Sequence, residues 1–198
     1  MKNFLANLLP VLFIQALKKP AMLFLCLNFS VILNAQIVLV DQCSGVPAAG
    51  AGSNVFGPMY SVANANATSH TAVIYPVSQL TALVGQTITS TYFYRLTPGG
   101  AMAGTPNFKI YLKEVSNTDW GEFSISWATT ISGATLIYDG NPAPIVGSTA
   151  GWKNFVSSAN FVYSGTKNLA VLIEYVNTTA STALQWTYEY SGNCIDPY

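Results

Sequence analysis

The chain has 198 residues, one domain's worth, and its 51% hydrophobic and 13% aromatic content is ample for a sizeable core. Charged residues make up only 8%, against the roughly 25% usual for soluble domains, so Ser, Thr, Asn, Gln and Gly must supply the polar surface. Eight basic residues balance eight acidic ones without forming a basic patch, which excludes nucleic acid as an expected partner.

The chain opens on an export signal. Lys18-Lys19 is its basic region, Ala21 to Leu33 its apolar core, and Leu33-Asn34-Ala35 a small-residue cleavage site. The expected division is a signal peptide over 1–35 and a β-sandwich domain over 36–198, secreted or held at the cell surface. A second apolar run, Phe4 to Leu17, precedes the lysines and fits either a long leader or a downstream translation start. A retained anchor is the competing reading, because Ala21 to Val40 nearly has the length to span a bilayer. Asn28, Asn34 and Gln36 inside that run favour cleavage. Loss of the leader removes Lys2, Lys18 and Lys19 and leaves a net charge of about −3.

After the leader, Gln36 to Val40 is a short apolar strand candidate. Asp41 to Met59 is rich in Gly, Ala, Ser and Pro and reads as loop. Tyr60 to Thr71 is small and polar and carries the only histidine, His70. Ala72 to Tyr75 is a strand stopped by Pro76. Ser78 to Val84 reads as a helical turn or a loop that packs Leu80 and Leu83 inward. Gln86 to Leu96, rich in Thr, Tyr and Phe, is a long strand, and Thr97 to Asn107 a loop around Pro98-Gly99-Gly100.

Phe108 to Val115 alternates cleanly, with Phe108, Ile110 and Leu112 on one face and Lys109, Tyr111 and Lys113 on the other. Ser116 to Glu122 is a turn, and Phe123 to Ile131 fits a weak strand or a short helix. Thr135 to Tyr138 is a strand ended by Asp139-Gly140-Asn141-Pro142. Phe161 and Tyr163 share a face of a short strand, and Ser164 to Asn168 is a turn. Leu169 to Val176 is a continuous run of strand formers, hence a buried central strand, and Leu184 to Tyr190 alternates again. Some eight strands with frequent turns and no long helix predict an all-β fold, a β-sandwich of jelly-roll type.

Five stretches carry a resemblance: Y-P-V-S-Q-L-T-A-L-V-G-Q-T-I-T-S-T-Y-F-Y (75–94), F-K-I-Y-L-K-E-V (108–115), L-I-Y-D-G (136–140), G-W-K-N-F (151–155) and F-V-Y-S-G-T-K-N-L-A-V-L-I-E-Y (161–175). With Tyr60, they resemble amino-terminal jelly-roll modules of large secreted or surface proteins of Bacteroidetes-type bacteria. Such modules stand ahead of fibronectin type III-like or other adhesive domains in proteins exported by type IX secretion. The resemblance spans most of residues 56–190 and is a pattern of strands and turns. It implies a core strand after the Y-P-x-S-x-L block and late strands around G-W-x-x-F and Y-x-G-x-x-N-L. It also implies downstream modules of the same polypeptide as partners. It supplies no catalytic residues.

The chemistry-bearing residues allow several readings. Ser69-His70 lacks any G-x-S-x-G elbow, so a loop histidine is the expectation. Glu114, Asp119, Glu122, Glu174 and Glu189 could supply the carboxylate pair that a glycosidase needs, or simply a charged surface. Asn117, Asp119 and Glu122, or Asp139 and Asn141, are oxygen-rich turns that suit calcium or ordinary Asx turns. No other cofactor is expected. Among four tryptophans, Trp120 stands in a polar turn and is the candidate sugar-stacking ring, the others being expected in the core or in cross-strand pairs. Cys26 leaves with the leader, so Cys43 and Cys194 are the candidate disulfide; two unpaired thiols, or a partner in another module, are the alternatives.

These observations lead to a non-catalytic, exported β-sandwich module with an adhesive or structural role, whose partner is an extracellular protein or glycan. A carbohydrate-binding module is the first alternative, and exposed aromatics along one sheet face would mark it. A sandwich-fold hydrolase is the second, marked by two facing carboxylates in a cleft.

Overall fold

The long apolar run and the cleanly alternating stretch become the two inner strands of one sheet. The computed structural model describes residues 52–54, 57–61, 66–96, 99–121 and 126–188. Its strands are β1 (Gly52–Asn54), β2 (Ala67–Tyr75), β3 (Ser90–Arg95), β4 (Asn107–Val115), β5 (Thr135–Gly140), β6 (Gly151–Val156), β7 (Asn168–Asn177) and β8 (Trp186–Tyr188). Two short helices, α1 (Trp127–Ile131) and α2 (Ala143–Val146), accompany them among the described residues. The protein is therefore an all-β sandwich. Sheet A runs β1-β8-β3-β6 and sheet B runs β2-β7-β4-β5.

Every pairing is antiparallel, and β1 joins β8, β2 joins β7, β3 joins β6 and β4 joins β5. Each strand thus meets the strand equally far from the β4–β5 connection. The chain is a two-armed ribbon wound into two layers, with β7–β4 and β8–β3 pairings closing each sheet.

Strand alternation fills the space between the sheets. Phe108, Ile110 and Leu112 from β4 meet Leu169, Ile173 and Tyr175 from β7, all buried. Sheet A contributes Phe93, Phe155 and Trp186 to the same cluster. Phe108 has Phe155 at 5.0 Å and Phe93 at 6.0 Å between ring centroids, so the rings interlock across the two layers. The register of β5 shifts opposite Ile110 and Tyr111, and both Ile137 and Tyr138 join this core. Such a bulge re-aims one extra side chain. Gly165, at φ +77°, makes the turn before β7, where a Cβ would collide with Val84.

Several boundaries differ from expectation. The stretch 41–59 holds β1 rather than loop alone. β2 starts at Ala67, inside the small polar segment, because β7 pairs with it along its whole length. The expected long strand over 86–96 is shorter: β3 covers Ser90–Arg95, with Thr87 bridging separately to Val162. Around that bridge the Phe161 carbonyl accepts from the Ile88 N–H at 2.8 Å and the Tyr163 N–H donates to the Gln86 carbonyl at 3.1 Å, a short antiparallel contact rather than a full strand, and both side chains pack on the main core. Asp139 and Gly140 belong to β5 instead of ending it. Ser78 to Val84 forms two 3-10 turns with Leu80 fully buried and Leu83 packed on the core. The strand candidate at Gln36 to Val40 and the leader lie outside the described residues. Among the described residues no helix is long and apolar enough to cross a membrane.

Candidate functional site

The two outer faces of the sandwich have opposite characters. The outer face of sheet B is covered and polar-bonded; that of sheet A is open and aromatic.

On sheet B, parts of the β4–β5 connection, residues 116–121 and 126–134, pack on the outer face. Helix α1 places Trp127 and Ile131 one turn apart, so both reach the sheet. Lys113, pointing outward from β4, donates to the carbonyl of Ser132 at 2.7 Å and so holds the end of α1. Trp120 is half-buried in the same secondary cluster, against Ala170, Leu172, Ala72 and Ile74. Its indole N–H donates to the Ala72 carbonyl at 3.1 Å on edge strand β2. The ring thus covers a sheet edge, whereas its polar sequence neighbours led to an open ring. Trp120→Ala is expected to cost about 1–2 kcal/mol in urea unfolding, for one hydrogen bond and part of a satellite core. An unchanged midpoint would show that the ring contributes nothing to this cover.

Below α1, one row of side chains crosses all four strands of sheet B. The register sets His70 opposite Glu174, Glu174 opposite Lys109, and Lys109 opposite Asp139. Nitrogen-bearing side chains therefore alternate with carboxylates along the row, the favourable cross-strand arrangement. Glu174 accepts hydrogen bonds from Lys109 Nζ at 2.8 Å, His70 Nε2 at 3.2 Å and Trp127 Nε1 at 3.0 Å. The His70 and Trp127 rings stack with centroids 4.1 Å apart. Burial alone would raise the Glu174 carboxyl, but the bonds from Lys109 and His70 outweigh it and hold it below the ordinary carboxylate value. The same bond raises the Lys109 ammonium against its own desolvation. The histidine expected in a loop is thus a strand residue. Its neighbour Ser69 is oriented to the other face, as alternation requires.

The remaining predicted residues are dispersed. Glu114 accepts from the backbone and the hydroxyl of Ser164, tying the turn before β7 to β4. The Asn117 carbonyl accepts from Asn168 Nδ2 at 2.7 Å. Asp119 is exposed, with Thr118 Oγ1 3.5 Å from its carboxylate. Asn141 Oδ1 accepts from the Ala143 N–H at 2.9 Å at the start of α2, a local Asx bond. Asp139 accepts from Asn107 Nδ2 at 2.9 Å. Among the described residues no three His, Cys, Asp or Glu side chains gather as metal ligands. Glu122, Glu189, Cys43 and Cys194 lie outside the described residues.

Sheet A presents the aromatics. On β3, Tyr92 and Tyr94 point outward and Phe93 inward; on β6, Trp152 and Asn154 point outward and Phe155 inward. The register sets Tyr94 opposite Trp152 and Tyr92 opposite Asn154. Trp152 is 51% exposed and Tyr92 37%, and Leu96 and Val156 extend the same face. Tyr94 and Trp152 meet edge to face, 5.2 Å between centroids. Meanwhile Arg95 and Lys153, the cations of these two strands, are turned inward and are only 1% and 6% exposed. Exposed large apolar groups and buried polar ones are the informative departures from ordinary patterning, and here they occur on the same pair of strands. Comparison with protein families, curated proteins and solved structures finds no match for this chain.

Proposed function

We propose that this is an exported, non-catalytic adhesion module of jelly-roll form that binds a glycan across the outer face of sheet A. The observation that carries the reading is the open aromatic group Tyr92, Tyr94 and Trp152, with the Asn154 amide beside it. Aromatic rings offer apolar faces to the C–H faces of sugars, while the Tyr hydroxyls and the Asn amide supply hydrogen bonds to sugar hydroxyls. The strand orders 1-8-3-6 and 2-7-4-5 support the jelly-roll form, with two Greek keys wound from one ribbon. The leader over 1–35 supports export. The non-catalytic reading is supported by the engagement of Glu174 with three donors and of Glu114 with Ser164.

Trp152→Ala tests the reading. Glycan binding on an array or in affinity electrophoresis is expected to be lost. The unfolding free energy is expected to fall by no more than about 1 kcal/mol, the contribution of one exposed aromatic pair. Binding that survives the substitution would remove sheet A from consideration.

A further inference from the structure

We infer that the ligand of the sheet A face is an uncharged polysaccharide taken up as a single chain, an inference that rests on the glycan-binding reading above. The charge follows from alternation. β3 and β6 contribute one cation each, and both side chains turn inward. There Arg95 donates to the carbonyls of Gly147 and Gly100, and Lys153 Nζ lies 3.4 Å from Thr149 Oγ1. The outward positions of the same strands include Tyr92, Tyr94, Trp152, Asn154 and Val156, and Leu96 follows directly after β3, none of them charged. Neither strand carries an acid. A uronate or sulfate bound on these positions would lose water without meeting a counter-charge, which is costly. Hydroxyls of a neutral sugar need only the amide and phenol groups present.

The shape follows from the rings. Tyr94 and Trp152 are inclined at 81° to one another. Two such rings cannot both lie flat on a crystalline surface, which needs coplanar platforms. They form a corner instead, in which one sugar can use the face of one ring and the edge of the other. Tyr92 is two residues further along β3, about 7 Å away at strand rise, and adds a ring for the next sugar. Leu96 extends the strip to about 13 Å from Tyr92. That length suits a short segment of one chain.

The test uses the exported protein and three groups of probes. The soluble neutral group is mixed-linkage β-glucan, xyloglucan and galactomannan; the acidic group is alginate and polygalacturonate; the crystalline probe is microcrystalline cellulose. Binding to at least one soluble neutral glycan is expected, with an affinity unchanged from low to high salt, because no ion pair is there to be screened. Trp152→Ala and Tyr92→Ala should each weaken that binding by about tenfold or more. Binding confined to the acidic glycans and abolished by salt would overturn the uncharged ligand and leave the glycan-binding reading standing. Binding confined to microcrystalline cellulose would likewise overturn the single chain alone. Failure to bind any probe, or binding indifferent to Trp152→Ala, would overturn both readings together.

Discussion

Phe108→Ala should lower the free energy of unfolding by about 3–5 kcal/mol. The side chain is fully buried on β4, a strand paired on both sides. Its ring centroid is 5.0 Å from that of Phe155, 6.0 Å from Phe93 and 6.1 Å from Tyr138. Two of these rings belong to sheet A and one to sheet B, so Phe108 is a contact between the layers as well as within one. Truncation loses the transfer free energy of the ring and leaves a cavity that paired strands close poorly, since their backbones are held by ladders on either side. Phe108→Leu, which keeps much of the volume, should cost about 1–2 kcal/mol. Urea unfolding followed by tryptophan fluorescence would measure both. If Phe108→Ala moved the midpoint no more than an exposed substitution such as Trp152→Ala, the layers would not be held together at this point.

β4 was legible because its two faces differ in kind, Phe108, Ile110 and Leu112 against Lys109, Tyr111 and Lys113, and the core sorts them as the period requires. β7 was legible for another reason. Its outer face is covered by Trp120, Trp127 and Ile131, so both faces need apolar residues and the run is continuous. β6 was opaque to periodicity. Its inner positions are Lys153 and Phe155 and its outer ones Trp152, Asn154 and Val156, so each face mixes polar with apolar. The late-strand pattern of the resembled modules was the only signal over this stretch. Tyr92-Phe93-Tyr94 on β3 hid the aromatic face in the same way, because an aromatic residue lies on either side of the strand. Trp120 was assigned from its sequence neighbours, Asp119 and Gly121, but its burial is decided by Ala72, 48 residues away. The charged row is less legible still. His70 and Glu174 are 104 residues apart and meet only through the β2–β7 register.

Glu174→Gln should destabilise the fold by about 2–3 kcal/mol at neutral pH and by progressively less as the solution is acidified. The carboxylate accepts from Lys109 Nζ, and it also receives the His70 and Trp127 ring nitrogens. Glutamine keeps the shape but offers one carbonyl oxygen in place of two charged ones, and its amide N–H groups face donors. The Lys109 side chain is 30% exposed and Glu174 17%, so water can compensate the ammonium in part, which keeps the loss below that for a fully buried pair. The pH dependence has a definite sign. The folded Glu174 carboxyl lies below its ordinary value, so its contribution is complete above the unfolded value of about 4.3 and disappears as pH falls through the folded one. Lys109 is raised, so its share persists up to the ordinary lysine range and is lost only as pH climbs through the elevated folded value. Parent and Glu174→Gln stabilities should therefore run parallel over the neutral range and converge in acid. Because Trp127 anchors α1 through this carboxylate, the same substitution should raise amide exchange in Trp127–Ile131 before it affects β4 or β7. A stability difference of the same size at neutral pH and well below pH about 4 would mean that the charge on Glu174 is not what holds the row together.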